Sequence, residues 1–264
     1  MAYLEIQQIA KGYGGREIFG NLSLSLDEGE FVSVVGASAT GKTTLLKIAC
    51  GLAEADSGAV TLGGQPVKGF SPVASVVFQN YSLLPWLSAL ENVRLAVASA
   101  FPKYSLKEQE GHSTKYLEMV GLGQAVLKKP SQLSGGMRQR VAIARAFAVE
   151  PSILFLDEPF GALDALTRAT LQRELAVMCS VQTKPVTALM ITNSVEEAVL
   201  LSDRIHALGR NGLSDGFIVD LPRPRASEAL LHDARAIEIR HQLAEFLTAG
   251  RAPKAARKAE EVAA

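Results

Sequence analysis

The chain has 264 residues, enough for one large domain or two small ones around a sizeable core. Hydrophobic residues make up 48% and charged residues 20%, which excludes a disordered or fibrous chain. Lys plus Arg and Asp plus Glu both number 27, so no net field points to nucleic acid or an anionic membrane surface.

Met1–Ile6 lack the basic and apolar regions of a signal peptide, and no apolar run reaches the ~18 residues of a membrane span. Any membrane role is expected to run through a partner. Residues near 3–9 and 22–26 alternate apolar and polar positions, as half-exposed strands do, and Asp27-Glu28-Gly29-Glu30 reads as a turn. Phe31-Val32-Ser33-Val34-Val35 reads as a buried strand. It leads into Gly36-Ala37-Ser38-Ala39-Thr40-Gly41-Lys42-Thr43, the pattern G-x-x-x-x-G-K-[ST], and then into a helix from Thr44 to Ala49. Strand, glycine loop and helix aim backbone N–H groups and a helix N-terminus at a polyphosphate. Lys42 is expected to reach the β- and γ-phosphates, and the Thr43 hydroxyl to ligate Mg²⁺. A plain connection between strand and helix is the alternative.

Gly51–Gly58 is loop-like, and Gly58–Leu62 and Val73–Phe78 read as strands around a turn at Gly63-Gly64. Helical periodicity then dominates, at Leu90–Ala98, Leu106–Val120 and Met137–Val149. Strand-like runs return at Ile153–Leu156 and Val186–Thr192, each followed by a helix. The order predicts an α/β core interrupted by a helical insertion. Asp233–Leu247, with Ile237, Leu243 and Leu247, is expected to be a helix packed on the core, and the tail from Arg251 to be disordered. Cys50 and Cys179 sit in apolar helical contexts without metal-ligand spacing, consistent with a reduced interior and no zinc site.

Ile153-Leu154-Phe155-Leu156-Asp157-Glu158 is an apolar strand ending in two carboxylates. Beside a phosphate loop, Asp157 can hold Mg²⁺ through water and Glu158 can polarise an attacking water. Acids that merely end a strand at the surface are the bland alternative. Leu133-Ser134-Gly135-Gly136-Met137-Arg138-Gln139 makes a second anion-ready helix start, unless Ser134 is only a cap. One triphosphate does not need two cradles from one subunit, so this turn is expected to serve a nucleotide on another subunit.

Together these motifs resemble the ATP-binding subunits of ABC transporters. Leu133–Gln139 stands where that family's signature falls, Asp157-Glu158 where its Walker B acids fall, and Gly161-Ala162-Leu163-Asp164 at its D-loop. Gln79 stands at its Q-loop and Tyr13 at its adenine-stacking aromatic. The resemblance implies a P-loop NTPase (RecA-like) α/β core with an antiparallel β subdomain and an inserted helical subdomain. It implies a cassette over residues 1–250, with the insertion at about 82–150. ATP and Mg²⁺ would be bound by Tyr13, Gly36–Thr44 and Asp157, with Thr43, Gln79 and Asp157 at the metal and Glu158, Gln79 and residue 193 in catalysis. Ser134, Gly135, Gly136 and Gln139 would face the partner's nucleotide in a head-to-tail dimer.

Gln79–Val93 and Pro159–Arg168 resemble the importer branch for nitrate, nitrite, cyanate, bicarbonate and sulfonates, and Tyr81–Trp86 and Val219–Arg225 look most like its nitrate/nitrite or cyanate subunits. That implies transmembrane permease subunits, a second ATP-binding subunit, indirectly a periplasmic or lipid-anchored solute-binding protein, and a place on the cytoplasmic face of the inner membrane. Leu83-Leu84-Pro85-Trp86 is either an apolar knob for a membrane partner or part of the helical core. The family presents a histidine and an acid where this chain has Asn193 and Ser194. Ser194-Val195-Glu196-Glu197 still forms a capping-box pattern, but a titrating imidazole is lost, so slowed hydrolysis or a mainly ATP-binding, regulatory site is expected. A cassette acting on nucleic acid is disfavoured by the balanced charge and the single set of motifs. His112, His206, His232 and His241 are expected to be surface or packing residues.

Overall fold

A computed structural model describes residues 2–181, 186–209, 212–223 and 225–249, so the tail from Arg251 and Pro224 of the Val219–Arg225 motif lie outside the described residues. In chain order the elements are β1 (Leu4–Tyr13), β2 (Arg16–Leu26), β3 (Phe31–Val35), α1 (Lys42–Ala49), β4 (Ser57–Leu62), β5 (Gln65–Pro66) and β6 (Ala74–Val77). There follow α2 (Ala89–Ala100), α3 (Leu106–Met119), α4 (Gly135–Phe147), β7 (Ile153–Asp157), α5 (Ala165–Val181) and β8 (Thr187–Thr192). The chain continues through α6 (Val195–Leu201), β9 (Arg204–Gly209), β10 (Gly212–Leu213), β11 (Phe217–Ile218), α7 (Ser227–His232) and α8 (Ala234–Thr248).

Two sheets form. The first is antiparallel, in the order β2-β1-β4-β5. The second runs β10-β9-β3-β8-β7-β6, with β11 beside β9; β9, β3, β8, β7 and β6 are mutually parallel. Alternate residues of β7 face opposite sides. Leu154 and Leu156 pack into the core shared with α2, α3, α4 and α5, while Ile153 and Phe155 join α1 and the antiparallel sheet. A strand buried on both faces must be apolar throughout, which is why this run shows no alternation. This is the expected P-loop NTPase fold, with a helical region spliced between β6 and β7. Among the described residues no helix is long and apolar enough to cross a membrane.

Serines start the helices of the spliced region. Ser88 and Ser105 form reciprocal caps with Glu91 and Glu108, and Ser134 Oγ accepts from Met137 N–H at 3.2 Å. The third helix therefore begins at Gly135, two residues before the periodicity indicates. Leu83 packs against this helical core, whereas Pro85 and Trp86 face solvent, so the expected knob divides between the two readings.

Several expectations need correction. β1 and β2 exceed their alternating stretches because register shifts interrupt the pairing and Gln8 and Asn21 adopt positive φ, so a period of two cannot persist. The Gly63-Gly64 turn joins β4 to β5, while the 73–78 run supplies β6 of the other sheet. β9 was not legible because Arg204 and His206 interrupt its apolar run; His206 is buried and its Nδ1 pairs with Ser214 O at 2.9 Å. On α8 the buried stripe is Ala236, Ile239 and Leu243, and Ile237 faces solvent. Arg223 and Arg225 close the end of α6, donating to Leu201 O at 2.7 Å and to Val199 O and Ser202 O at 2.9 and 2.6 Å. Cys50 and Cys179 are buried free thiols.

Phe147 lies fully buried where α4 meets the sheet. Phe147→Ala should lower unfolding free energy by about 3–5 kcal/mol in a urea titration, because the site cannot collapse around the missing ring.

Candidate active site

Because β3, β8, β7 and β6 are parallel neighbours, their C-terminal ends lie on one edge of the sheet. That edge gathers the loop 36–43, Thr192-Asn193, Asp157-Glu158 and Phe78-Gln79, the place where open α/β sheets bind ligands. Within the loop, Ala37, Ser38 and Ala39 are exposed and Thr40 Oγ1 donates to Ala37 O at 2.9 Å. Gly41 has φ 96°, and a Cβ there would fall 2.6 Å from Ile18 Cγ2, so only glycine fits this helix start.

Lys42 is the buried centre. Its Nζ donates to Gly36 O and Ala37 O at 2.9 Å and to Asn193 Oδ1 at 2.8 Å, and lies 3.8 Å from Glu158 Oε1. Burial lowers its pKa, opposed by Glu158 and Asp157. Thr43 Oγ1 donates to Asp157 Oδ1 at 3.2 Å; burial raises the Asp157 pKa, against that hydrogen bond. Gln79 Nε2 donates to Glu158 Oε2 at 3.3 Å, and Glu158 holds φ 45°, a strained value of the kind found at functional sites. Thr44 is the half-buried residue after Thr43 in the first turn of α1. The adjoining oxygens of Thr43 and Asp157 suit a hard Mg²⁺, which takes few protein oxygens and fills its shell from phosphate and water.

Tyr13 is half-exposed at the end of β1, with Lys11 Nζ 5.3 Å from its ring centroid. Asp56, which the sequence did not single out, pins that end, accepting from Lys11 Nζ at 2.5 Å and Gly12 N–H at 2.7 Å. Ser134, Gly135 and Gly136 stand apart from the Lys42 cluster, with no hydrogen bond to it among the described residues. Ser134 is exposed, while a Cβ on Gly136 would meet Thr167 Cγ2 at 2.5 Å. Gln139, by contrast, is buried, and its amide has no partner among the described residues. Its side chain therefore does not share the open surface of Ser134. His112 belongs to the helical region, where Nε2 pairs with Ala148 O at 2.8 Å, and His241 lies on α8, 3.7 Å from Glu245. His232 ends α7.

A glycine loop around a buried lysine, with two carboxylates at the C-terminal end of β7, the next strand but one, defines a nucleotide-binding cassette. The family model for ABC transporters matches residues 19–161, more than half of the chain, and the chain belongs to that family. It is 47% identical over 231 residues to the nitrate import ATP-binding protein NrtD of Synechococcus elongatus, covering 86% of this chain and 83% of that one. It is 44% identical over 253 residues to the bicarbonate transport ATP-binding protein CmpC of the same species, covering 93% of this chain but 38% of that longer one. The dimeric post-hydrolysis structure of the ATP-binding cassette MJ0796 bound to ADP and Pi has a TM-score of 0.72 at 29% identity, over 83% of this chain and 100% of that one.

Gly41→Ala should weaken binding of a fluorescent ATP analogue by about tenfold or more. It should also cost about 1–3 kcal/mol of stability, because the added methyl both strains the backbone and displaces Ile18.

Proposed function

We propose that this chain is the ATP-hydrolysing subunit that energises import of a small anion of the nitrate or nitrite kind through separate transmembrane permease subunits. The observation that carries the reading is the convergence of Lys42, Thr43, Asp157, Glu158, Gln79 and Asn193 at one sheet edge. Residues 1–250 act as one cassette, with the helical insertion at about 82–150 facing the permease. The cassette works on the cytoplasmic face of the membrane, paired with a second ATP-binding subunit and indirectly with a solute-binding protein outside. The nitrate and bicarbonate relatives support the anion class.

In this reading Tyr13 stacks on adenine, and the N–H groups of residues 36–44 cradle the phosphates. Lys42 exchanges its bond to Asn193 for phosphate oxygens, since all three of its N–H donors are otherwise engaged. Thr43, Asp157 and Gln79 would hold Mg²⁺, which when bound offsets charge on the phosphate oxygens. Glu158 takes the proton of the attacking water, and Gln79 holds that carboxylate in place. Ser134, Gly135 and Gly136 meet the partner's nucleotide. Gln139 joins them only if α4 shifts to release its buried side chain.

A second reading, a nucleotide-binding regulatory subunit with a weakened site in an asymmetric heterodimer, is favoured by Asn193. Its carboxamide holds Lys42 and cannot exchange a proton as an imidazole does.

Purified with its membrane partners, the chain should hydrolyse ATP, and Glu158→Gln should cut the single-turnover rate by about 10²–10⁴-fold while ATP still binds. An unchanged rate in that variant removes the hydrolytic assignment. Asn193→His should raise the single-turnover rate by about tenfold. If it does not, the weakened-site reading is discarded.

A further inference from the structure

The corner between β8 and α6 does not form the reciprocal cap that Ser194 and Glu197 imply. Ser194 Oγ accepts from Glu197 N–H at 3.2 Å, which starts the helix. The Ser194 N–H, however, donates to Thr192 Oγ1 at 3.1 Å, and Thr192 Oγ1 donates to Glu197 Oε2 at 2.6 Å. The hydroxyl has been inserted where a direct bond is expected. Glu197 itself is buried, and its second oxygen, Oε1, faces Arg168 Nε at 3.8 Å.

Arg168 reaches a different loop. Its Nη2 donates to Leu163 O at 2.9 Å and its Nε to Phe160 O at 3.4 Å, the two ends of the turn that follows Glu158. Gly161 N–H donates to Glu158 O at 3.2 Å, so this turn continues directly from the proposed base. On the other side, Thr192 O accepts from Gly36 N–H at 3.4 Å, and Asn193 holds Lys42. Helix α6 could start on Ser194 alone. Burying a carboxylate carries a desolvation cost that capping does not explain, and burial does raise the Glu197 pKa, against Thr192 and Arg168.

We infer that Glu197 is a positioning residue that ties the turn at 160–163, through Arg168, to Thr192 and Asn193, so that the two walls of the hydrolytic site move as one unit. The inference rests on the hydrolytic reading of this edge. The tie is mechanical: displacement of the turn pulls Arg168 off Glu197, which frees the Thr192 hydroxyl and loosens the Ser194 N–H behind Asn193. Neither Glu197 nor Arg168 touches the nucleotide in this role.

The test uses the full chain with Glu197→Gln, Arg168→Gln, their double, and Thr192→Val beside Thr192→Ser. Amide hydrogen exchange on the nucleotide-free protein is the first readout. Arg168→Gln should speed exchange by about tenfold at residues 194–198 as well as at 161–163, although Arg168 makes no backbone hydrogen bond to the former segment. Glu197→Gln should do the same in both segments, and Thr192→Ser should restore the protection at 194–198 that Thr192→Val loses. The second readout is single-turnover ATP hydrolysis. It should fall about tenfold in either single variant and no further in the double, with affinity for a fluorescent ATP analogue held within about twofold. Exchange that Arg168→Gln changes only at 161–163 overturns the inference, as do losses that multiply in the double. If Arg168→Gln does not fold, Arg168→Lys, which keeps the charge but not the fork to both carbonyls, decides the same exchange comparison. A parent chain that hydrolyses no ATP counts against the assigned function, while the exchange pattern still decides the tie.

Discussion

The buried ammonium of Lys42 is the constraint on which the nucleotide edge depends. A charge removed from water must have its donors occupied, and here two carbonyls of its own loop and the Asn193 amide occupy them. The carbonyls of Gly36 and Ala37 are thereby turned inward, and the loop takes its curled form around the ammonium. Asp157 and Glu158 supply the compensating negative charge from the next strand but one. Remove the lysine and the loop loses what it curls around.

That arrangement works only because the strands run parallel. Val35 pairs with Thr192, and Ile191 with Asp157, so the ends of three strands are level to within a residue. Each has both faces buried, one side against the helical region or α6 and α8, the other against α1 and the antiparallel sheet. A shift of one residue in pairing would turn core side chains to the wrong layer, so packing across the whole sheet holds the catalytic ends in register. The precision of the site is thus supplied by apolar residues far from it.

How much of this was legible in the sequence depended on whether one local rule governed the segment. The glycine loop, β3, β7 and the acid pair could be read directly, because a buried parallel strand is a short apolar run and the loop's residue types follow from its geometry. The long antiparallel pair extends past its alternating stretches because its bulges destroy strict alternation. β9 was hidden because half-buried Arg204 and buried His206 break its apolar run, each held in the fold by tertiary partners, Ser25 O and Glu30 for Arg204 Nη2 and Ser214 O for His206 Nδ1. Ile237 and Ile239 are equally apolar, but only Ile239 stands four residues before Leu243, the helical spacing that puts it on the buried stripe of α8. The Thr192 relay was least legible: S-x-x-E predicts a reciprocal cap, and nothing local reveals that a hydroxyl two residues upstream and an arginine on another helix will claim the carboxylate. Nor does the pattern around Ser134 disclose that Gln139, five residues on, points inward.

The two thiols have a practical consequence. Burial pushes Cys50 up to about 11 and Cys179 up to about 12, so neither carries appreciable thiolate at neutral pH, and neither is open to reagent. Toward maleimides the chain should therefore behave as a cysteine-free background. A single reporter placed at exposed Ser134 or Trp86 can be alkylated selectively without first stripping out the native sulfurs.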